Sequence, residues 1–238
     1  MVREGMIRVG LVHLKDYESW IKSIGYDREW VIQATQATIY RSLVVESAKM
    51  GMFSIPLTYD SYIVIINAAR VEDFIETVNS ICNEVPVAFN TYIGSGHSYT
   101  EAIENLKEAS KFVEGSEKVN ELEETAVVHL DLDGYNRFMH SLRFLDAEGL
   151  INMLFQKVRQ ASTKHGGLTY YAGGDNFICF VPCERIEVFL NIVVTDNIKA
   201  GVGIALKPRD ALRLAAQALD IIRNKEWSNK IFILREST

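Results

Sequence analysis

Two stretches of this chain carry the same landmarks in the same order, and that duplication restricts the fold more than any other feature. Val12-His13-Leu14 and Val128-His129-Leu130 each lie in an apolar run that reads as a strand. Asp60 and Asp175 each sit in a turn between two apolar runs, the pattern of a β-hairpin. Gly94 precedes Glu101-Ala102 just as Gly203 precedes Asp210-Ala211. The spacing between matched landmarks is nearly constant, as a repeated unit requires. Between the copies, residues 115–124 are charged and poor in apolar side chains. The chain therefore divides into a first repeat, 1–114, a linker, 115–124, and a second repeat, 125–238.

Periodicity fills in each copy. In the first, Ile7 to Leu14 reads as a strand and Asp27 to Met50 as a long helix closed by Gly51. Trp30, Ala34, Ala37, Leu43, Val44 and Ala48 are expected on its buried side. A hairpin follows over Phe53 to Ile66, then a helix from Val71 to Asn83, a strand from Val87 to Ile93 and a helix from Tyr99 to Val113. In the second copy the strand Ala126 to Leu130 leads to a helix, Ala147 to Lys164. The hairpin around Asp175 comes next, then a short helix near Glu184 to Val193 and a strand from Lys199 to Ala205. A helix from Pro208 to Arg223 and a last strand, Lys230 to Leu234, close the chain. Each copy reads β-α-β-β-α-β, a ferredoxin-like unit with an extra helix at its end. The expected class is α+β: two tandem ferredoxin-like units with mostly antiparallel sheets. Helices cover one face of such a sheet and leave the other open, and the two open faces are expected toward each other. Alternation places His129, Asp131 and Asp133 on the open face, with Leu130 and Leu132 under the helices.

The formal charge of −6 and pI near 5.5 give no footprint for a nucleic-acid partner. Cys82, Cys179 and Cys183 form no CxxC pair, which argues for a reducing compartment and against structural zinc. Arg3, Glu4 and Arg8 interrupt the apolar start, so it does not read as a signal peptide. No apolar run approaches the roughly 20 residues of a membrane helix. A cytoplasmic protein with no membrane partner is expected.

The chemistry concentrates in Gly173-Gly174-Asp175-Asn176-Phe177 and in His129-Leu130-Asp131-Leu132-Asp133. A hairpin-tip carboxylate and a strand-end carboxylate can converge on one hard cation. Paired glycines let a backbone approach phosphate with no Cβ in the way. Together these point to a Mg²⁺–nucleoside triphosphate site.

A strand-end DxD followed by a GGD[EN]F hairpin resembles the GGDEF and nucleotidyl cyclase catalytic domains. Two tandem copies, with only the second carrying GGDNF, resemble more closely the archaeal GTP cyclohydrolase III family, also called GTP cyclohydrolase IIa. The matching residues are His129-Leu130-Asp131, Gly173 to Phe177, Ile222-Arg223-Asn224-Lys225 and the aromatics Tyr17 and Trp20. The resemblance runs from about Met6 to Leu234. It implies GTP as substrate, with the imidazole ring opened at C8 and the formyl group retained. The product would be 2-amino-5-formylamino-6-(phosphoribosylamino)pyrimidinone, with phosphate released, feeding riboflavin and deazaflavin synthesis. It also implies Mg²⁺ and a homo-oligomer. One departure stands out: where the family's first strand tends to carry an acid, this chain has Lys15, followed by Asp16. Lysine cannot ligate Mg²⁺, so the first copy is expected to supply a phosphate-facing cation or a base contact.

Under that resemblance Asp131 and Asp175 are the metal ligands, joined by the Leu132 carbonyl, and Gly173 and Gly174 approach the triphosphate. Asp133 is either an acid behind the metal ligands or a turn former before Gly134. Asn176 either bonds the nucleotide or caps its turn. Arg223 and Lys225 either hold phosphate oxygens or complement a helix dipole. His129, and His13 with it, either shuttles protons at neutral pH or is structural. Tyr17 and Trp20 either stack on guanine or belong to the core. The water that adds at C8 has His129 or a metal-bound hydroxide as its candidate activators. The same aspartates would serve a nucleotidyl cyclase, and a non-catalytic GTP-sensing module is the remaining alternative.

Overall fold

The computed structural model describes residues 6–114, 123–135, 143–225 and 227–237. The expected linker lies almost wholly outside them. The chain divides into two compact units, Met1–Gly96 with Ala102–Glu123, and His97–Glu101 with Glu124–Thr238. Within the second, the Tyr99 N–H donates to the Gly166 carbonyl at 2.8 Å.

The first unit runs β1 (Ile7–Leu14), α1 (Tyr17–Ile24), α2 (Glu29–Lys49), β2 (Phe53–Thr58), β3 (Ser61–Ile65), α3 (Val71–Cys82), β4 (Phe89–Gly96), α4 (Tyr99–Glu104, whose first turn counts with the second unit), β5 (Lys107–Glu108) and α5 (Ala109–Glu114). Its strands lie in the order β2-β3-β1-β4-β5, antiparallel throughout. Pro56, which cannot donate to a ladder, sits on the edge strand β2 at a shift of register. The second unit runs β6 (Thr125–Leu132), α6 (Phe144–Lys164), β7 (Leu168–Gly173), β8 (Asn176–Val181), α7 (Ile186–Val193), β9 (Ile198–Ala205), α8 (Pro208–Arg223) and β10 (Ile231–Arg235). The order is β7-β8-β6-β9-β10, the same as in the first unit. Only β10, reached through the crossover helix α8, pairs in parallel among the described strands. These are two ferredoxin-like α+β units.

The matched glycines do the same work in both. A Cβ on Gly94 would lie 1.9 Å from the Ala102 carbonyl oxygen, and one on Gly203 would lie 1.9 Å from that of Ala211. A helix backbone rests directly on the sheet at each point. Val12, Val64 and Phe74 anchor one core, and Val128, Phe177 and Phe189 anchor the other.

Three expectations are corrected. Residues Tyr17–Ile24 form a helix that periodicity did not predict; it has no buried residue and no side-chain cap, so neither signal was available. The helix expected over Tyr99 to Val113 is broken. The Asn105 amide donates to the Ser95 carbonyl at 3.0 Å, and Lys107–Glu108 turns onto the open edge of β4. On α2 the buried stripe is Ile32, Ile39 and Leu43 with Ser42 and Ser47, while Trp30 is 64% exposed. Ser47 and Ser42 occupy inward positions because partners await them: Ser54 Oγ at 3.0 Å and Glu84 Oε2 at 3.1 Å.

Candidate functional site

β6 is the central strand of the second sheet. Leu130 lies opposite Phe177 on β8 and Asp131 opposite Lys199 on β9. This register brings the β7–β8 turn level with the end of β6. Gly173 pairs with Asn176, leaving Gly174 and Asp175 at the tip. Gly173 at φ 96° and Gly174 at φ 62° occupy backbone conformations that side chains resist. The Tyr171 hydroxyl donates to the Gly174 carbonyl at 3.0 Å and holds the turn.

Asn176 is the polar hub. Its amide donates to Asp175 Oδ1 at 2.9 Å and to the Gly173 carbonyl at 3.4 Å. Its Oδ1 lies 3.0 Å from His129 Nε2. An amide oxygen only accepts, so Nε2 carries the proton. His129 Nδ1 is buried and has no hydrogen-bond partner among the described residues. Burial, and next the nearby Arg223 charge, depress the imidazole; the Asn176 bond and the two aspartates pull the other way. His129 is therefore neutral at pH 7.

Asp131 is buried, at 8% exposure, and not on an open surface as alternation predicted. α8 packs along β6 and β9 and delivers Arg223 to it. Nη2 donates to Oδ1 at 2.5 Å and Nε to Oδ2 at 3.4 Å. Across from this pair, the Asp175 carboxyl is pushed up, first by burial and then by the Asp131 charge, with Arg223 opposing. Two carboxylates thus confront each other, with one guanidinium bonded to the first of them. That is a donor set of hard oxygens suited to Mg²⁺. Among the described residues no three His, Cys, Asp or Glu side chains gather to hold a metal. Remaining ligands would have to come from backbone, water or substrate.

Of the other expected residues, Leu132 ends β6 opposite Ile198. Asp133 is exposed and paired with Lys199 Nζ at 2.5 Å. Lys199 is a cation that sequence reasoning missed, since only the strand register places it beside Asp131. Lys225 is exposed, in a left-handed conformation just past the end of α8 (φ 60°). Lys15 and Tyr17 belong to the first unit. Lys15 is exposed; the Tyr17 hydroxyl accepts from Gln36 at 2.7 Å, and its ring centre lies 5.7 Å from that of Trp20. Tyr135, with a ring carbon 3.9 Å from where a Gly174 Cβ would stand, had no signal in the sequence.

Strand pairing also corrects the alignment of the copies. Val9 pairs with Gly94 and Ile65; Val127 pairs with Gly203 and Phe180. Counting from that anchor keeps Asp60 equivalent to Asp175 but sets His13, not Lys15, in the place of Asp131. Lys15 falls in the place of Asp133. The shared VHL tripeptide had drawn the match two residues out of register. In the first unit His13 Nδ1 lies 2.9 Å from Ser61 Oγ. Asp60 accepts from Thr58 Oγ1 at 2.6 Å and from Ser61 Oγ at 3.1 Å. The Thr58 bond is the main reason its carboxyl is held down, the reverse of Asp175.

The sequence model of GTP cyclohydrolase III matches residues 9–236. A GTP cyclohydrolase III of Sulfurisphaera tokodaii is 34% identical over 223 residues, covering 91% of this chain and 94% of the relative. One of Aeropyrum pernix is 31% identical over 235 residues, covering 92% and 93%. One of Saccharolobus islandicus is 28% identical over 225 residues, covering 93% and 97%.

Proposed function

This chain belongs to the GTP cyclohydrolase III family, and from that premise we propose that its second unit holds the metal and triphosphate on which the reaction turns. GTP is hydrolysed with opening of the imidazole ring at C8. The product is 2-amino-5-formylamino-6-(phosphoribosylamino)pyrimidinone, with phosphate released and the formyl group retained. A cytoplasmic homo-oligomer supplying flavin and deazaflavin synthesis is the corresponding setting. The observation that carries this reading is the facing pair Asp131 and Asp175, with Arg223 on the first.

Asp131 and Asp175 would hold Mg²⁺, with the Leu132 carbonyl as a further oxygen. When bound, Mg²⁺ neutralises charge on the triphosphate and on the phosphoryl group in transfer. Gly173 and Gly174 keep the hairpin tip free of side chains where phosphate oxygens approach. Arg223, and with it Lys225, would offer donors to those oxygens; a guanidinium fork matches phosphate as well as it matches carboxylate. His129 acts as a positioning residue. Its Nε2–H holds Asn176, and the Asn176 amide in turn holds Asp175 toward Asp131. For the first unit, Lys15 is put forward as a phosphate-facing cation and Tyr17 as a base contact.

The test is mass spectrometry of products after incubation with GTP and Mg²⁺, together with a formate assay. The expected product is the formylamino-pyrimidine monophosphate without formate. An intact purine in a new 3′,5′ phosphodiester would overturn the reading in favour of a cyclase, and stoichiometric formate would overturn retention of the formyl group.

A further inference from the structure

Arg223 is committed to a carboxylate that the metal also needs. Its guanidinium grips both oxygens of Asp131, at 2.5 Å and 3.4 Å. The Asp131 side chain is 10% exposed, so few of its lone pairs remain open, whereas Arg223 is 40% exposed and has a free flank from which to leave. Asp220, one turn back on α8, lies 3.6 Å from Nη1 and gives the guanidinium a second acceptor on its own helix.

A divalent cation reaching this pair alone meets an occupied ligand and a positive charge already in place. Like charges at such range repel strongly where solvent is scarce. A triphosphate removes both obstacles, because its oxygens give the guanidinium an equally good fork-shaped partner. Resting on the metal and triphosphate reading above, we infer that Arg223 is a resident counter-cation on Asp131. The metal must displace it, and the triphosphate draws it away. Metal and nucleotide then bind cooperatively, each weakly without the other, and the coupling is reciprocal by linkage. An arginine assigned only to phosphate would not affect metal binding in the absence of nucleotide.

The experiment is Mn²⁺ binding followed by its electron paramagnetic resonance signal, without nucleotide and then with a non-hydrolysable GTP analogue. Wild type is compared with Arg223→Gln, Arg223→Lys and Asp131→Asn, each checked for folding by circular dichroism. Without nucleotide, Arg223→Gln should bind Mn²⁺ about fivefold or more tightly than wild type, the lower end of typical coupling. The gain in Mn²⁺ affinity on adding the analogue should shrink by the same factor. Arg223→Lys, which keeps the charge but loses the fork, should lie between. Unchanged or weaker Mn²⁺ affinity in both Arg223 variants, with binding abolished in Asp131→Asn, would overturn the inference and leave the metal site standing. Mn²⁺ binding that survives Asp131→Asn would overturn the metal reading itself.

Discussion

Asp175 stands at the tip of the β7–β8 turn with its carboxyl pushed up, first by burial and then by the facing Asp131. A carboxyl with a raised folded value favours its neutral form, so its contribution to stability is present in acid and lost as pH rises through that value. Ionising Asp175 in the metal-free protein therefore costs stability. Asp175→Asn keeps an oxygen for the Asn176 amide and removes the charge. It should raise the Tm of the metal-free protein at neutral pH, with the gain disappearing on acidification, while Mn²⁺ binding is lost. A Tm that falls at neutral pH would show that Asp175 is not under electrostatic strain. His129 obeys the opposite sign. Its depressed imidazole makes the fold less stable as pH drops below the ordinary histidine range. His129→Gln should flatten the acid limb of a Tm-against-pH profile. Of these residues, Asp131, Asp175 and His129 were legible from one strand end and one glycine-opened turn. Lys199 and Tyr135 were not, because their places depend on strand register and on a chain segment without periodicity.

The hairpin β7–β8, the crossover β9-α8-β10 and the long helix α6 were readable because their patterns are long or are bounded by Gly and Pro. α1 and the interruption between α4 and α5 were not. The first is too short to show a period, and the second follows from Asn105 finding the Ser95 carbonyl on an open edge. The stripe of α2 was misplaced because hydrogen-bonded serines take inward positions that a hydrophobicity pattern assigns outward. The glycines under the helices were visible only as a matched pair, yet they set how closely α8 can lie on β9. Gly203→Ala places a methyl where the Ala211 carbonyl already stands, 1.9 Å away. A helix backbone cannot yield as a side chain does, so the loss should reach or exceed the ~1–3 kcal/mol typical of overpacking. Thermal melts should show it as a fall of several degrees or more. Because α8 carries Arg223, the shift should also loosen the Arg223–Asp131 pair. Gly149→Ala on the exposed face of α6, where an added Cβ meets nothing within 4 Å, is the control that should leave Tm nearly unchanged or higher.

At the scale of the whole molecule, one fold is written twice with different chemistry at equivalent points. Sheet order, the glycines beneath the helices and the hairpin aspartate all repeat; the matched glycines and the hairpin aspartate were legible in the sequence, the sheet order was not. The register was not, because the VHL tripeptide is a coincidence of composition that only strand pairing exposes. With the register corrected, the second unit sets Asp131 against Asp175, and the first sets His13 against Asp60. Two carboxylates repel and create a demand for a cation. A histidine and an aspartate linked through Ser61 satisfy each other, and Thr58 completes the set. The first unit thus has its charge settled within its own hydrogen bonds and lacks the second hard-oxygen ligand. From this asymmetry, metal binding should depend on one unit alone. Asp60→Asn should leave the stoichiometry and affinity of Mn²⁺ unchanged in an electron paramagnetic resonance titration, whereas Asp175→Asn should abolish tight binding. Asp60→Asn should instead lower stability at neutral pH, since a carboxyl held down by hydrogen bonds contributes stability above the ordinary carboxylate range that is lost on acidification. If Asp60→Asn removes a bound Mn²⁺, the first unit shares the metal chemistry, and the division of roles between the copies is wrong.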